Sequence, residues 1–249
     1  MEAELYEKFY DIEEHFWWSV GTRRTFLEVI NETLVPIPSR VLDLGCGTGI
    51  MLKELATEQR FVCGYDGSSL ALSFCHRRGL NDLVQGDASV LPFGTECLDL
   101  VTALDVIEHL DDDEGCVREM ARVCRRGGHV LIHVPAFPFL WSYKDELNHH
   151  RRRYRRKALT DLIERNGLKV LQVHYLNSVA FPAAMLMRAL GRNGSKGDQA
   201  SVDALGQLYD IPASVNRLMT HLMDLERWLG RYVPPPFGMS LLCLAQKPI

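Results

Sequence analysis

The sequence predicts an α/β fold in which a mostly parallel sheet carries helices on both faces. Three observations lead there. Apolar strand-like runs alternate with helical patterns from residue 40 to about 175. The glycine-rich stretch Arg40 to Gly49 reads as strand, tight loop and helix. Acidic residues then recur just beyond successive strand-like runs, at the carboxyl edge where open α/β sheets bind ligands.

Strands are expected near 40–44, 61–65, 82–85, 98–104, 128–134 and 168–175, with a final one from Met239 to Gln246. Helices are expected near 50–58, 69–78, 112–125 and 156–166. Gly127-Gly128 suits the end of the helix before the fifth strand, because glycine tolerates a left-handed cap. Two segments stand outside the alternation. Residues 1–38 look helical and aromatic-rich, with Tyr6, Phe9, Tyr10, Phe16, Trp17 and Trp18. Residues 176–238 separate the last two strands and look mostly helical, with a flexible loop expected over Gly191–Asp198. The expected organisation is an N-terminal lid or cap (1–38), a sheet domain (39–175 with 239–249) and a helical insert (176–238).

A chain of 249 residues can bury a substantial core. With 47% apolar and 24% charged residues it reads as an ordinary globular protein. The net charge of −4 argues against a general nucleic-acid binder, whose footprint would be basic. Seven cysteines form no C-x-x-C pair, which suggests reduced core residues in a cytoplasmic protein rather than disulfides or zinc. The N-terminus lacks a signal-peptide pattern, and no apolar run is long enough to span a bilayer.

The glycine loop departs from the dinucleotide fingerprint. Counting from Gly45, the third glycine of G-x-G-x-x-G should fall at 50, which is Ile. The pattern is instead Asp43-x-Gly45-x-Gly47-x-Gly49. Asp66 follows the second strand, where an acid can accept from both ribose hydroxyls. Gly86-Asp87-Ala88 follows the third, and Asp105-Val106-Ile107-Glu108-His109 the fourth. Singly, Asp43 could cap a turn, Asp66 start a helix and Asp87 close a loop. Acids at four successive strand ends make a pocket the better reading.

With these motifs the chain resembles the class I S-adenosylmethionine-dependent methyltransferases of the bacterial small-molecule type. The matching residues are Val41 to Gly49, Asp66, Gly86-Asp87-Ala88 and Asp105 to Leu110. The resemblance implies a Rossmann-like, doubly wound, seven-stranded sheet with its last strand antiparallel. It implies S-adenosylmethionine as cofactor, bound through Asp43, Gly45, Cys46, Gly47, Gly49, Asp66, Gly67, Asp87, Ala88, Leu104 and Asp105. Gly45 to Gly49 would line the methionine moiety and Asp66 the ribose. Asp87 and Ala88 would sit at the adenine, with Leu104 and Asp105 at the amino-acid end.

The sulfonium is an activated methyl donor, so the protein's task is alignment and proton removal. His109 is the candidate base; its alternative role is a structural histidine shaping the loop. No residue is assigned to a metal. Some quinone-type and small-RNA O-methyltransferases resemble the Asp105-x-x-Glu108-His109 arrangement and hold a divalent ion there, so metal assistance stays open.

On the acceptor side, six of the seven residues from Arg151 to Lys157 are basic. They read either as a clamp for an acceptor phosphate or carboxylate or as a solvated helix start paired with Asp161 and Glu164. The stretch His150-x-Arg152-Arg153-Tyr154 looks like a recurring element of bacterial relatives. His150, Arg152, Arg153 and Tyr154 are therefore singled out as substrate residues, together with Tyr143. Trp18 joins them because the aromatic N-terminus resembles a helical lid, its alternative being core. The apolar run Val179–Met187 could hold a lipid or quinone-like acceptor or touch a membrane peripherally; its alternative is packing against the sheet or a second copy. The expected partner is a small-molecule acceptor, phosphate-bearing or hydrophobic. A NAD-dependent oxidoreductase and a non-catalytic cofactor-binding module are the competing readings.

Overall fold

The computed structural model describes residues 3–57, 60–189 and 210–249. One seven-stranded sheet holds β1 (Arg40–Leu44), β2 (Phe61–Asp66), β3 (Leu83–Gln85), β4 (Leu98–Leu104), β5 (Cys124–Pro135), β6 (Lys169–Leu176) and β7 (Ser240–Gln246). Their order is β3-β2-β1-β4-β5-β7-β6. The first five strands pair in parallel, and β7 runs antiparallel to both β5 and β6. The order reverses between β1 and β4, which opens a crevice at their carboxyl ends.

The strands are apolar almost throughout because helices cover both faces. Successive side chains alternate: Leu42, Val101, Ile132 and Leu241 join one core with Val117, Met120, Leu159 and Ile163. Val41, Leu100, Leu131 and Leu242 join the other with Phe26, Ile30, Leu52 and Leu55. Each fully buried leucine contributes about 1.5–3 kcal/mol.

The helices are α1 (Ala3–Ile12), α2 (Trp17–Glu28), α3 (Ile50–Leu55), α4 (Ser69–Arg77), α5 (Asp113–Val123), α6 (Tyr143–Leu147), α7 (Arg156–Arg165), α8 (Phe181–Ala189) and a long helix, Ala213–Gly230. Side-chain caps start two of them: Ser68 accepts the Ala71 N–H and Asp112 the Gly115 N–H. The N-terminal segment lies against the sheet domain. Tyr6 stacks on Phe74 of α4 at 6.0 Å, and Arg78 holds Glu13 at 2.5 Å. Glu13 in turn accepts the Thr48 hydroxyl of the glycine loop. α2 packs on the long helix, where Asn216 accepts the Trp17 N–H and donates to the His15 carbonyl.

Three expectations need correction. Strand β5 begins at Cys124, not 128, and α5 stops at Val123. Gly127 caps no helix; it lies within β5 and its N–H donates to Lys247 O at 2.8 Å. The physical reason is a bulge: Leu98 pairs with Cys124, yet Leu100 already pairs with His129. Helix α3 ends at Leu55 rather than 58, and the short α6 was not foreseen. The expected loop over 191–198 lies outside the described residues.

Candidate active site

The loop after β1 turns at Gly45 and Gly47, with φ of 70° and 55°. A Cβ at Gly45 would meet Val106 Cγ2 at 2.4 Å, so both the backbone angle and the close approach require glycine. At Gly47 no atom stands within 4 Å of a Cβ position; the loop faces open space, as a cradle for a ligand requires. Asp66 fixes that loop. Its Oδ2 accepts the Gly47 N–H at 3.0 Å and its Oδ1 the Ser68 N–H at 2.8 Å. Gly49 serves packing instead, since a Cβ there would strike Cys75 Sγ and Leu80 Cδ1 at 2.8 Å.

Two cavities meet at this loop. The larger, about 660 Å³, is lined by Gly45, Gly47, Asp66, Gly67, Asp87, Ala88, Asp105 and His109, with Tyr6 of α1 contributing to its wall. The smaller, about 280 Å³, is lined by Asp43, Cys46 and Leu104 together with Glu13, Trp18 and Thr22 from the N-terminal segment. Gly45, Gly47 and Asp105 border both. Every residue assigned to the cofactor except Gly49 therefore lines one cavity or the other. The acid past β2, the acid past β3 and the open glycine at 47 fit an adenosine-bearing cofactor.

The electrostatics differ from acid to acid. Burial pushes the Asp43 carboxyl up to about 6, against the Thr102 hydroxyl donated to it at 2.6 Å. Asp105 adopts φ of 58°, rare for a non-glycine residue and frequent at functional sites. Burial alone would raise its carboxyl, but His133, then His150 and His109, outweigh it and hold the group below its ordinary value. Its side chain stays 54% exposed to the cavity, so water tempers these interactions. His133 Nδ1 lies 2.9 Å from Asp105 Oδ1, an ion-pair distance without hydrogen-bond alignment. Glu108 is fully buried and neither of its carboxyl oxygens has a hydrogen-bond partner, so burial, then Asp105, raise its pKa well above normal. Burial, then His150, push His109 down to about 4, which leaves its ring neutral near pH 7.

The acceptor-side residues separate. His150 comes to the site: its ring stands edge to face with that of His109 at 4.7 Å. Its Nδ1 is 2.8 Å from Asp145 Oδ1. Trp18 reaches the smaller cavity. His150 itself lines neither of these two cavities, and nor do the other four. Arg152 is spent on Asp113 at 2.7 Å and on the Leu110 and Asp111 carbonyls. Arg153 is spent on Asp145 at 2.7 Å and the Ala136 carbonyl. Tyr154 is buried with its hydroxyl on Asp113 at 2.6 Å, and Tyr143 opens α6. In this structure Arg152 and Arg153 brace the loop between β5 and α7 rather than present a clamp. His133 was missed in the sequence. It sits in a buried strand, and only the β4–β5 register, Leu104 opposite His133, brings it to Asp105.

A methyltransferase-domain family profile matches residues 42–132. The ubiquinone biosynthesis O-methyltransferase of Hahella chejuensis is 30% identical over 140 residues, 51% of this chain and 58% of that protein. The phosphatidylethanolamine N-methyltransferase of Cereibacter sphaeroides is 39% identical over 100 residues, 37% of this chain and 49% of that one. The chain thus spans about half the length of these relatives. Among solved structures, the YcgJ protein of Bacillus subtilis superposes with a TM-score of 0.58 at 19% identity, covering 91% of this chain and 99% of that one. The phosphoethanolamine N-methyltransferase 2 of Haemonchus contortus, in complex with S-adenosyl-L-methionine, gives 0.58 at 17% identity over 92% and 52%. At such identities the structures share the fold alone. Residues 42–132 thus match a methyltransferase domain, and the described residues share the fold of methyltransferases of known structure.

Proposed function

We propose that the chain binds S-adenosylmethionine across the two cavities and directs its methyl group to an oxygen nucleophile on a small acceptor beside His109. The observation that supports this most is the position of Asp105 on the wall of both cavities. A cofactor with adenine at Asp87, ribose at Asp66 and methionine near Asp43 would pass that point. When bound, the cofactor supplies an electrophilic methyl on sulfur. Asp66 and the glycine loop orient it, while Trp18 and Thr22 shield the smaller cavity from water. The neutral His109 ring takes the acceptor's hydroxyl proton, and the Asp105 charge favours the imidazolium that results.

One relative is named an O-methyltransferase and another an N-methyltransferase. An imidazole base suits oxygen, because a hydroxyl must lose its proton as it attacks. With Arg152 and Arg153 engaged internally, a hydrophobic or quinone-like acceptor suits this site better than a phosphate-bearing one. No helix among the described residues is long and apolar enough to cross a membrane, and the cysteines are free, in keeping with work in the cytoplasm.

A second reading adds a metal ion. Glu108, His109 and His150 each offer a ligand atom, and these atoms lie within 4.8 Å of one another. His150 takes the place that the sequence pattern gave to Asp105. The unpartnered Glu108 carboxyl and the Asp145 support behind His150 fit a first-row divalent ion, which would polarise an acceptor oxygen. The test is S-adenosylhomocysteine release from phenolic and lipid-linked acceptors, with and without a chelator. Release that survives chelation removes the metal. Tight cofactor binding with no release from any acceptor leaves a binding module.

A further inference from the structure

One apolar surface of the described residues is left uncovered by the fold. Eleven of the eighteen exposed large hydrophobic side chains fall within two short segments, Met185–Met187 and Val215–Phe237. One face of the long helix is occupied: Met223 is buried, Asn216 binds the N-terminal segment, and Asp224 pairs with Arg24 at 2.7 Å. The opposite face carries Leu218, Leu225 and Leu229, with Tyr232 in line beyond the helix end. That spacing forms a single stripe. Trp228 and Tyr232 stand edge to face at 5.7 Å on its border. The start of α8, the helix that carries Met185–Met187, abuts the second segment: Glu226 accepts the Ser178 and Val179 N–H groups and Phe181 packs on Phe237 at 4.8 Å.

The charges on these segments say what the stripe faces. Both acids of the long helix are used internally, Asp224 by Arg24 and Arg227 and Glu226 by the backbone. Arg188 and Arg217 are exposed and have no ion-pair partner among the described residues. Leucines beside an indole and a phenol, with unpaired arginines alongside, are the composition of a bilayer-interface element. A second copy of this face would offer the arginines no free acid from its long helix, since Asp224 and Glu226 are engaged, whereas an anionic surface neutralises both. The aromatic contact of Phe181 with Phe137, just past β5, joins this surface to the acceptor side of the fold at 5.7 Å between rings.

We propose that Leu225, Trp228, Leu229 and Tyr232 dock this chain on an anionic phospholipid surface, with Arg188 and Arg217 meeting the lipid phosphates. Docking rests on the proposed function only in that a lipid-linked acceptor would be delivered there.

The test is co-sedimentation of the full chain with phosphatidylcholine vesicles, pure or containing about a quarter phosphatidylglycerol. The chain should pellet with the anionic vesicles and at least about tenfold less with the neutral ones. Leu225→Glu with Leu229→Glu should cut pelleting at least about tenfold while the melting temperature holds. Should that variant fail to fold, Arg188→Ser with Arg217→Ser must still lose the preference for anionic vesicles. A wild type left in the supernatant, or a folded variant pelleting like wild type, overturns the proposal. So does a solution dimer that the double glutamate variant splits, since a second copy would then own the face. Binding of S-adenosylhomocysteine, measured separately on each variant, reports on the methyltransferase reading independently.

Discussion

Asp66 and Gly47 are joined by a hydrogen bond of 3.0 Å from the glycine N–H to a carboxylate oxygen. That single contact ties the acid past β2 to the loop past β1. It also leaves lone pairs on both carboxylate oxygens for a diol. Asp66→Ala should therefore weaken S-adenosylhomocysteine binding twice over, by loss of the ribose acceptor and of the loop restraint. The expected loss is about 1.5–3 kcal/mol, roughly ten- to a hundredfold in Kd by calorimetry. Unchanged affinity would remove Asp66 from the site.

His109→Ala separates proton transfer from cofactor binding. With the His109 ring neutral above a pKa of about 4, turnover should fall by roughly 10²–10⁴ while the cofactor Kd changes little. A variant that turns over like wild type at every pH would make His109 a structural residue.

Asp145 is fully buried and carries His150, Arg153 and the Ser142 N–H at once. Those partners hold its carboxyl down at about 2 despite burial, so it is ionised at every working pH. Asp145→Ala would strand a nearly buried Arg153 without its counter-charge. Denaturant unfolding should show a loss of about 3–5 kcal/mol, and acceptor turnover should fall as His150 loses its support. Stability within experimental error of wild type would show that the arginine finds another partner.

Asp43 should behave in the opposite sense. Below the ordinary value of 3.8 its carboxyl is protonated in both folded and unfolded chains. Between 3.8 and about 6 only the unfolded chain ionises, so stability falls as pH rises through that window, and the full cost remains above it. Asp43→Asn should thus stabilise the cofactor-free protein at pH 7 by about 1–3 kcal/mol. The gain should vanish near pH 3.5, and a destabilised variant at pH 7 would contradict the account.

The alternation of strands and helices was legible because a parallel sheet buried on both faces leaves nearly continuous apolar runs, as in β4 and β1. The lining of the two cavities was legible for a related reason. Asp43, Asp66, Asp87 and Asp105 each sit at or just past a strand end, so chain order alone lines them along one edge. The acceptor side was not. His133 looks like an ordinary core residue until strand register brings it to Asp105. Arg152 and Arg153 look free in a basic run, whereas Asp113 and Asp145, residues remote or inconspicuous in sequence, consume them. Gly127 reads as a helix cap because a local pattern cannot reveal a bulge set by pairing with β4.

The central claim is that the glycine loop and Asp66 form an S-adenosylmethionine site. Isothermal titration of the purified chain with S-adenosylhomocysteine, and in parallel with NAD, tests it most directly. The account predicts one-to-one binding of S-adenosylhomocysteine that Asp66→Ala weakens at least about tenfold, and no heat from NAD. Saturable binding of NAD with none of S-adenosylhomocysteine would contradict it.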